Sequence, residues 1–379
     1  MFFLIELYVI AACALLFVMF KIIKAYKKHR YARFEPRTPD DQLPSVSVCL
    51  PARNETNAMT ECLESVLASD YPKLEVIVLD DNSSDNTSHL IKAFAHAGVR
   101  FVSGKPLPSD WLGKNFALEN LLAESSGRYV LFMDVDTRTS PKTIRTVVEQ
   151  AMDQDLAMIS VIPQRFDTFR ASAWFSTLRY LWEIILDSKD SPGSSSAAWL
   201  IKRSVLKDEL GGFGMWRDEV QPESQIAREL SLTKEYRLII STPELGVNYA
   251  KKWSSQIETS RRLLLPRFNN SILSMLIGLS LLLAVIIPQF IVIFALIEGK
   301  WTLLAAELLL GLLATVLFAS YCKLVWLDRW WIGVLVASYV AWQELFLLIS
   351  SIVGYQRNSI TWKGRPVLRP TRKNLSSSS

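Results

Sequence analysis

Residues 2–20, FFLIELYVIAACALLFVMF, form one apolar run with a single acid, Glu6. A run of that length crosses a bilayer as a helix, and the charges beside it decide how. A cleaved secretory signal carries its positive charge before the apolar core. Here the charge follows, in KIIKAYKKHRYAR (21–33), which predicts a retained span with the next domain on the cytoplasmic side. Three more apolar segments, 271–297, 301–326 and 330–353, lie near the other end. The chain is 50% hydrophobic with a mean hydropathy of +0.19. That is rich for a soluble protein and lean for a polytopic one, so a mixed architecture is expected.

The sequence divides accordingly. Residues 1–22 read as an N-terminal transmembrane helix, 23–43 as a basic juxtamembrane linker and 44–250 as a soluble α/β domain. An interfacial basic segment (251–270) follows, then transmembrane segments over 271–353 and a basic tail over 354–379. Arg261, Arg262 and Arg267 mark the cytoplasmic approach to the C-terminal spans. One span before the domain and three after it would put the basic tail outside, whereas its charge says inside. One apolar segment is therefore re-entrant or paired on the surface, or the charge rule fails here. Pro288 and the pair Gln343-Glu344 are the places to look for an irregular segment. Residues 165–187, with aromatics at helical spacing and Arg165, Arg170 and Arg179 among them, read either as a buried helix or as one lying in a membrane interface.

Within 44–250, SVSVCLP (45–51), LEVIVLD (74–80), VRFVSG (99–104) and RYVLFMD (128–134) are β-rich runs separated by helical stretches around 57–68 and 86–98. That alternation predicts a mostly parallel sheet with helices on both faces. Ligands of such sheets bind at the carboxyl ends of the strands, and three of these ends are acidic: Glu55, Asp80-Asp81 and Asp134-Val135-Asp136. In an extended strand Asp134 and Asp136 share a face and repel unless a cation lies between them. The alternative for this pair is ordinary turn chemistry. The four cysteines show no C-x-x-C pairing and the three histidines no cluster, so a metal here takes oxygen ligands. That points to Mg²⁺ or Mn²⁺. Net charge is +5, and no nucleic-acid partner is expected.

Read together, P-A-R-N-E (51–55), V-L-D-D-N-S-S-D-N-T (78–87), W-L-G-K-N-F-A (111–117), S-G-R-Y-V-L-F-M-D-V-D-T (126–137) and L-G-G-F (210–213) resemble, in the right order, the motifs of family 2 glycosyltransferases of the GT-A fold. The flanking spans and T-W-K-G-R-P-V (361–367) resemble the branch that glycosylates membrane lipids, which includes carotenoid-acid, hopanoid-associated and ceramide glycosyltransferases. The resemblance implies a Rossmann-like cytoplasmic domain with one N-terminal and about three C-terminal transmembrane helices, multi-pass in the cell (inner or plasma) membrane. It implies nucleotide contacts from Pro51, Arg53, Glu55, Asp81, Lys114 and Asp134, with Asp80 supporting the turn. It also implies a divalent metal on Asp136 and Asp134, a general base at Glu223 with Asp136 also catalytic, and a diphosphate or acceptor side at Arg261 and Arg262. Glu219 and Asp218 are rivals for the base.

Two departures bear on function. The Q-x-x-R-W of polymer-forming members is replaced by S-S-Q-I-E-T-S-R-R-L (254–263), without the tryptophan. The Glu-Asp pair that supplies the base becomes Pro222-Glu223. The expected activity is inverting transfer of a single sugar from a nucleotide-sugar, a UDP-sugar, to a lipid acceptor at the bilayer. The alternatives are a processive polysaccharide synthase and a catalytically dead nucleotide-binding membrane scaffold.

Overall fold

The computed structural model describes residues 2–31, 38–166, 176–326 and 329–367. The four expected strands are present as β1 (Val46–Ala52), β2 (Leu74–Asp80), β3 (Val99–Ser103) and β4 (Tyr129–Met133). After two-residue strands β5 (Thr137–Arg138) and β7 (Gln164–Arg165), which flank β6 (Met158–Ile162), come β8 (Ala198–Lys202), β9 (Tyr236–Ile240) and β10 (Asn248–Tyr249). The main sheet has the order β3-β2-β1-β4-β8-β6-β9. Its pairings are parallel except at β8, which runs antiparallel to both β4 and β6. Its inner strands β1, β4, β6 and β8 are buried on both faces, which is why they read as nearly unbroken apolar runs rather than as alternations.

One face of the sheet packs Val46, Val48 and Leu50 against Met59, Leu63 and Val66 of helix Met59–Leu67 and Val147 and Val148 of helix Thr143–Asp153. The other packs Cys49, Val130 and Phe132 against Leu118 and Leu121 of helix Gly113–Glu124 and Ile226 and Leu230 of helix Pro222–Leu232. The chain leaves β1 toward β2 on one side and returns beside β1 as β4 on the other. The crevice at that reversal, outside the carboxyl ends of the strands, is where such sheets bind ligands.

A third core joins the domain to the apolar helices. Among the described residues four helices are long and apolar enough to cross a membrane: Tyr8–His29, Ile272–Ile297, Trp301–Val325 and Ala337–Gln356. The expected segment 330–353 is divided in two, with Trp330–Leu335 preceding Ala337–Gln356. Helix Ile272–Ile297 runs through Pro288. Gln343 and Glu344 turn inward. Gln343 Oε1 accepts from the Trp253 indole at 2.8 Å, and Glu344 accepts from the Trp182 indole at 2.6 Å and the Leu178 amide at 3.0 Å.

The 165–187 segment differs from the single helix expected. Arg165 lies in β7, residues 167–175, Arg170 included, fall outside the described residues, and among the described residues of the segment Arg179–Ile185 is helical. Tyr180, Leu181, Trp182 and Ile185 are buried, so this part is interior and not a membrane-surface helix. The large rings have partners inside: Trp182 meets Phe268 edge-on at 5.2 Å.

Candidate active site

The turns that follow β1 and β2 are tied to each other. Asn54 and Asn82 take left-handed backbone angles (φ 54° and 53°), a conformation asparagine tolerates better than most residues. Asn54 Oδ1 accepts from the Ser84 amide at 2.9 Å, and Ser83 Oγ accepts from the Asn54 amide at 2.9 Å. Asp80 Oδ1 accepts from the Ser83 amide at 3.2 Å, supporting the turn as expected. Glu55 and Asp81 are thereby held side by side at the sheet edge.

Asp134 and Asp136 do not lie on an extended strand. Strand β4 ends at Met133, and the Thr137 amide donates to the Asp134 carbonyl at 2.9 Å, closing a turn with Val135 buried inside it. Both carboxylates still reach one crevice, because the turn folds around Val135. Asp134 accepts from Lys114 Nζ at 2.5 Å and from Ser196 Oγ at 3.1 Å. Asp136 pairs with Lys251 Nζ at 3.0 Å. Burial alone would raise the Asp134 carboxyl, but Lys114 and Lys251 outweigh it and hold it below the usual range. Burial would likewise lower the Lys251 ammonium, but Asp136 and Asp134 raise it.

The crevice is a small cavity of about 90 Å³. Pro51, Arg53, Glu55, Lys114, Asp134, Asp136 and Arg262 line it, so seven of the expected positions converge. Asp81 adjoins it, its carbonyl accepting from Arg53 Nη1 at 2.6 Å. Arg261 is not in the wall. Consecutive residues on helix Trp253–Arg267 point about 100° apart; Arg262 faces the cavity, and the Arg261 guanidinium lies toward Gly354.

Glu223 is not among the residues that line this cavity. It is 3% exposed, in the first turn of helix Pro222–Leu232, which opens on a proline suited to that position. Burial pushes its carboxyl above the ordinary range. Lys114 and Arg179 pull against that shift, and Asp134 adds to it. Glu219 is raised as well, by burial and then by Asp218.

The structure adds residues that the sequence did not assign. Strands β11 (Thr361–Trp362) and β12 (Arg365–Pro366) form a hairpin over the nucleotide end of the crevice. Its turn residues Lys363 and Gly364 both have positive φ (48° and 80°), the backbone of a two-residue hairpin turn that favours glycine. Lys363 Nζ pairs with Glu55 at 2.9 Å, and Arg365 Nη1 with Asp81 at 2.5 Å. Trp362 lies 6.0 Å from the Arg262 guanidinium, so a tryptophan does accompany this arginine, supplied from 100 residues downstream. Lys251 and Glu258 complete the wall, Glu258 accepting from the Lys363 amide at 3.3 Å. The motif T-W-K-G-R-P-V was the available signal for the hairpin; nothing in the sequence gave its destination.

Among the described residues no three His, Cys, Asp or Glu side chains gather into a full metal-ligand set. Asp134 and Asp136 nevertheless fit a hard divalent cation, which commonly takes one or two carboxylates and completes its shell with substrate phosphate and water. The Lys251 ammonium on Asp136 marks the place as one that favours a cation.

Residues 47–210 match Glycosyl transferase family 2. The chain is 32% identical over 234 residues to the probable glycosyltransferase YdaM of Bacillus subtilis, covering 55% of this chain and 52% of that one. It is 26% identical over 140 residues to the 4,4'-diaponeurosporenoate glycosyltransferase of Staphylococcus haemolyticus, covering 36% and 37%. The chain thus spans about half or less of the length of these relatives. Among solved structures it resembles the mannosyltransferase PcManGT of Pyrobaculum calidifontis, in complex with GDP-Man and Mn²⁺. The TM-score is 0.55 at 18% identity, over 92% of this chain and 96% of that one. Strand order, motif positions and family match agree: residues 47–210 are similar to the family 2 glycosyltransferases, and the chain has the GT-A fold.

Proposed function

We propose that this protein is a membrane-bound inverting glycosyltransferase that moves one sugar from a UDP-sugar to a lipid acceptor. The observation that carries the reading is the convergence of the strand-end carboxylates with Lys114, Lys251 and Arg262 beside a core shared with the apolar helices. Residues 44–250 act as the transferase domain, 1–22 and 271–353 as its membrane part, 23–43 and 251–270 as basic connections, and 354–379 as the tail. Asp81 and Glu55 take the base and ribose, with Pro51 and Arg53 shaping that end. Asp134 and Asp136 hold Mg²⁺ or Mn²⁺, which when bound offsets negative charge on the leaving diphosphate. Lys114 and Arg262 face the same charge.

Inversion is a single displacement. The acceptor oxygen forms its bond to the anomeric carbon as the carbon–phosphate-oxygen bond breaks, and the diphosphate leaves with that electron pair. The acceptor proton passes to Glu223, raised by burial toward working pH. Because the relative from S. haemolyticus is named for a carotenoid acid, an apolar acceptor is the reading we prefer. The test is calorimetry of UDP binding to the full-length protein with Mn²⁺ and with EDTA, followed by product analysis on lipid extract. We expect binding to require the metal, Asp136→Ala to abolish turnover, and one sugar per lipid. Equal affinity in EDTA overturns the metal assignment; a ladder of products overturns single transfer in favour of a polymerase. Binding without any transfer would favour a scaffold.

A further inference from the structure

A second cavity, of about 330 Å³, lies among the apolar helices. That is within the size range of small-molecule pockets, roughly 300–1,000 Å³. Leu181 and Trp182 wall one end, Val285 and Pro288 one side, and Leu308 and Leu312 another. Those two leucines are 56% and 60% exposed, so the cavity opens between helices onto the apolar outer surface of the bundle. Its lining on helix Trp301–Val325 runs from Glu307 to Phe318. Eleven residues of helix rise make that about 16 Å, so the cavity is a slot suited to a chain.

Two further features say what kind of chain. Glu307, in the slot wall, is 3% exposed, and its Oε2 has no hydrogen-bond partner. The nearby Tyr8 hydroxyl donates instead to the Ala306 carbonyl at 2.7 Å. A buried polar atom left unpaired among apolar walls is costly, and an acid in an apolar helix commonly marks function. At the other end the slot meets helix Arg179–Ile185. Leu181, Trp182 and Ile185 face the slot. Arg179, at the start of the same helix, donates through Nη2 to Ser196 Oγ at 3.2 Å, and Ser196 donates to Asp134. One helix of two turns separates the slot from the acids of the candidate active site.

We propose that this slot holds the apolar chain of the acceptor, and that Glu307 accepts a hydrogen bond from a hydroxyl carried at the chain's far end. The inference rests on the lipid-acceptor reading above. It is tested with radiolabelled 1-dodecanol and 1,12-dodecanediol on detergent-solubilised full-length protein, with UDP binding measured in parallel. Gly311→Leu fills the slot where a new Cβ meets no atom within 4 Å, so it should fold; it should cut binding of both probes at least tenfold and leave UDP affinity unchanged. The wild type should prefer the diol, Glu307→Gln should keep part of that preference, and Glu307→Leu should abolish it while still binding dodecanol. Unchanged probe binding by Gly311→Leu, or a diol preference that survives Glu307→Leu, overturns the proposal while the transferase reading stands. Probe binding by a wild type that binds no UDP overturns the acceptor assignment together with the function it rests on.

Discussion

Glu223 is the base in the proposed reaction. Its carboxyl is raised from an ordinary 4.5 by burial, and a base works only when deprotonated. Activity should therefore fall as pH drops through that raised value, placing the acid limb of kcat/KM above 4.5. Glu223→Gln should lose about two to four orders of magnitude in kcat while keeping UDP and metal binding. The sign for stability is opposite. A raised folded-state pKa contributes stability below the unfolded value and loses it as pH rises through the folded value, so Glu223→Gln should melt higher than wild type at pH 8. A loss of tenfold or less, with Glu219→Gln far worse, moves the base to Glu219. The motif around Glu223 was legible because Pro222, the first-turn acid, Ile226 and Leu230 form a local helix pattern. Lys251 on Asp136 was not, since that pair joins positions 115 residues apart and no local rule connects them.

Among the elements, the tail hairpin alters the picture most. A cavity of about 90 Å³ is smaller than the roughly 300 Å³ that drug-sized ligands need, so we expect the hairpin to shift when the proposed donor enters. Arg365 and Lys363 occupy the carboxylates of Asp81 and Glu55 that we propose for base and ribose. Arg365→Ala should tighten UDP binding, by about tenfold or less for a partly exposed pair worth about a kcal/mol. Titration calorimetry against wild type decides it, and weaker binding would mean that Arg365 belongs to the bound state instead. Strands β1, β2 and β4 were readable to within a residue at each end because burial on both faces leaves only apolar choices. The start of the 165–187 segment misled because Arg165 belongs to the two-residue strand β7, too short for helical spacing to tell apart.

For the whole molecule, the ion pairs Lys363–Glu55 and Arg365–Asp81 have a consequence for topology, and it is one of parity. The hairpin follows the last apolar helix, yet it rests on the domain that precedes the first of the three C-terminal ones. A path that leaves one side of a bilayer and ends on the same side crosses an even number of times. In the proposed membrane arrangement, an odd number of Ile272–Ile297, Trp301–Val325 and Ala337–Gln356 therefore turns back or lies flat. Ala337–Gln356 is the most buried of the three, and its Gln343 and Glu344 bond to Trp253, Trp182 and Leu178 beside the domain. We expect it to be the non-crossing one, with the basic tail inside as its charge requires. A cysteine at Lys300 should react with an impermeant maleimide on intact cells, and one at Asn358 only after lysis; labelling of Asn358→Cys on intact cells would give the odd parity that the hairpin forbids.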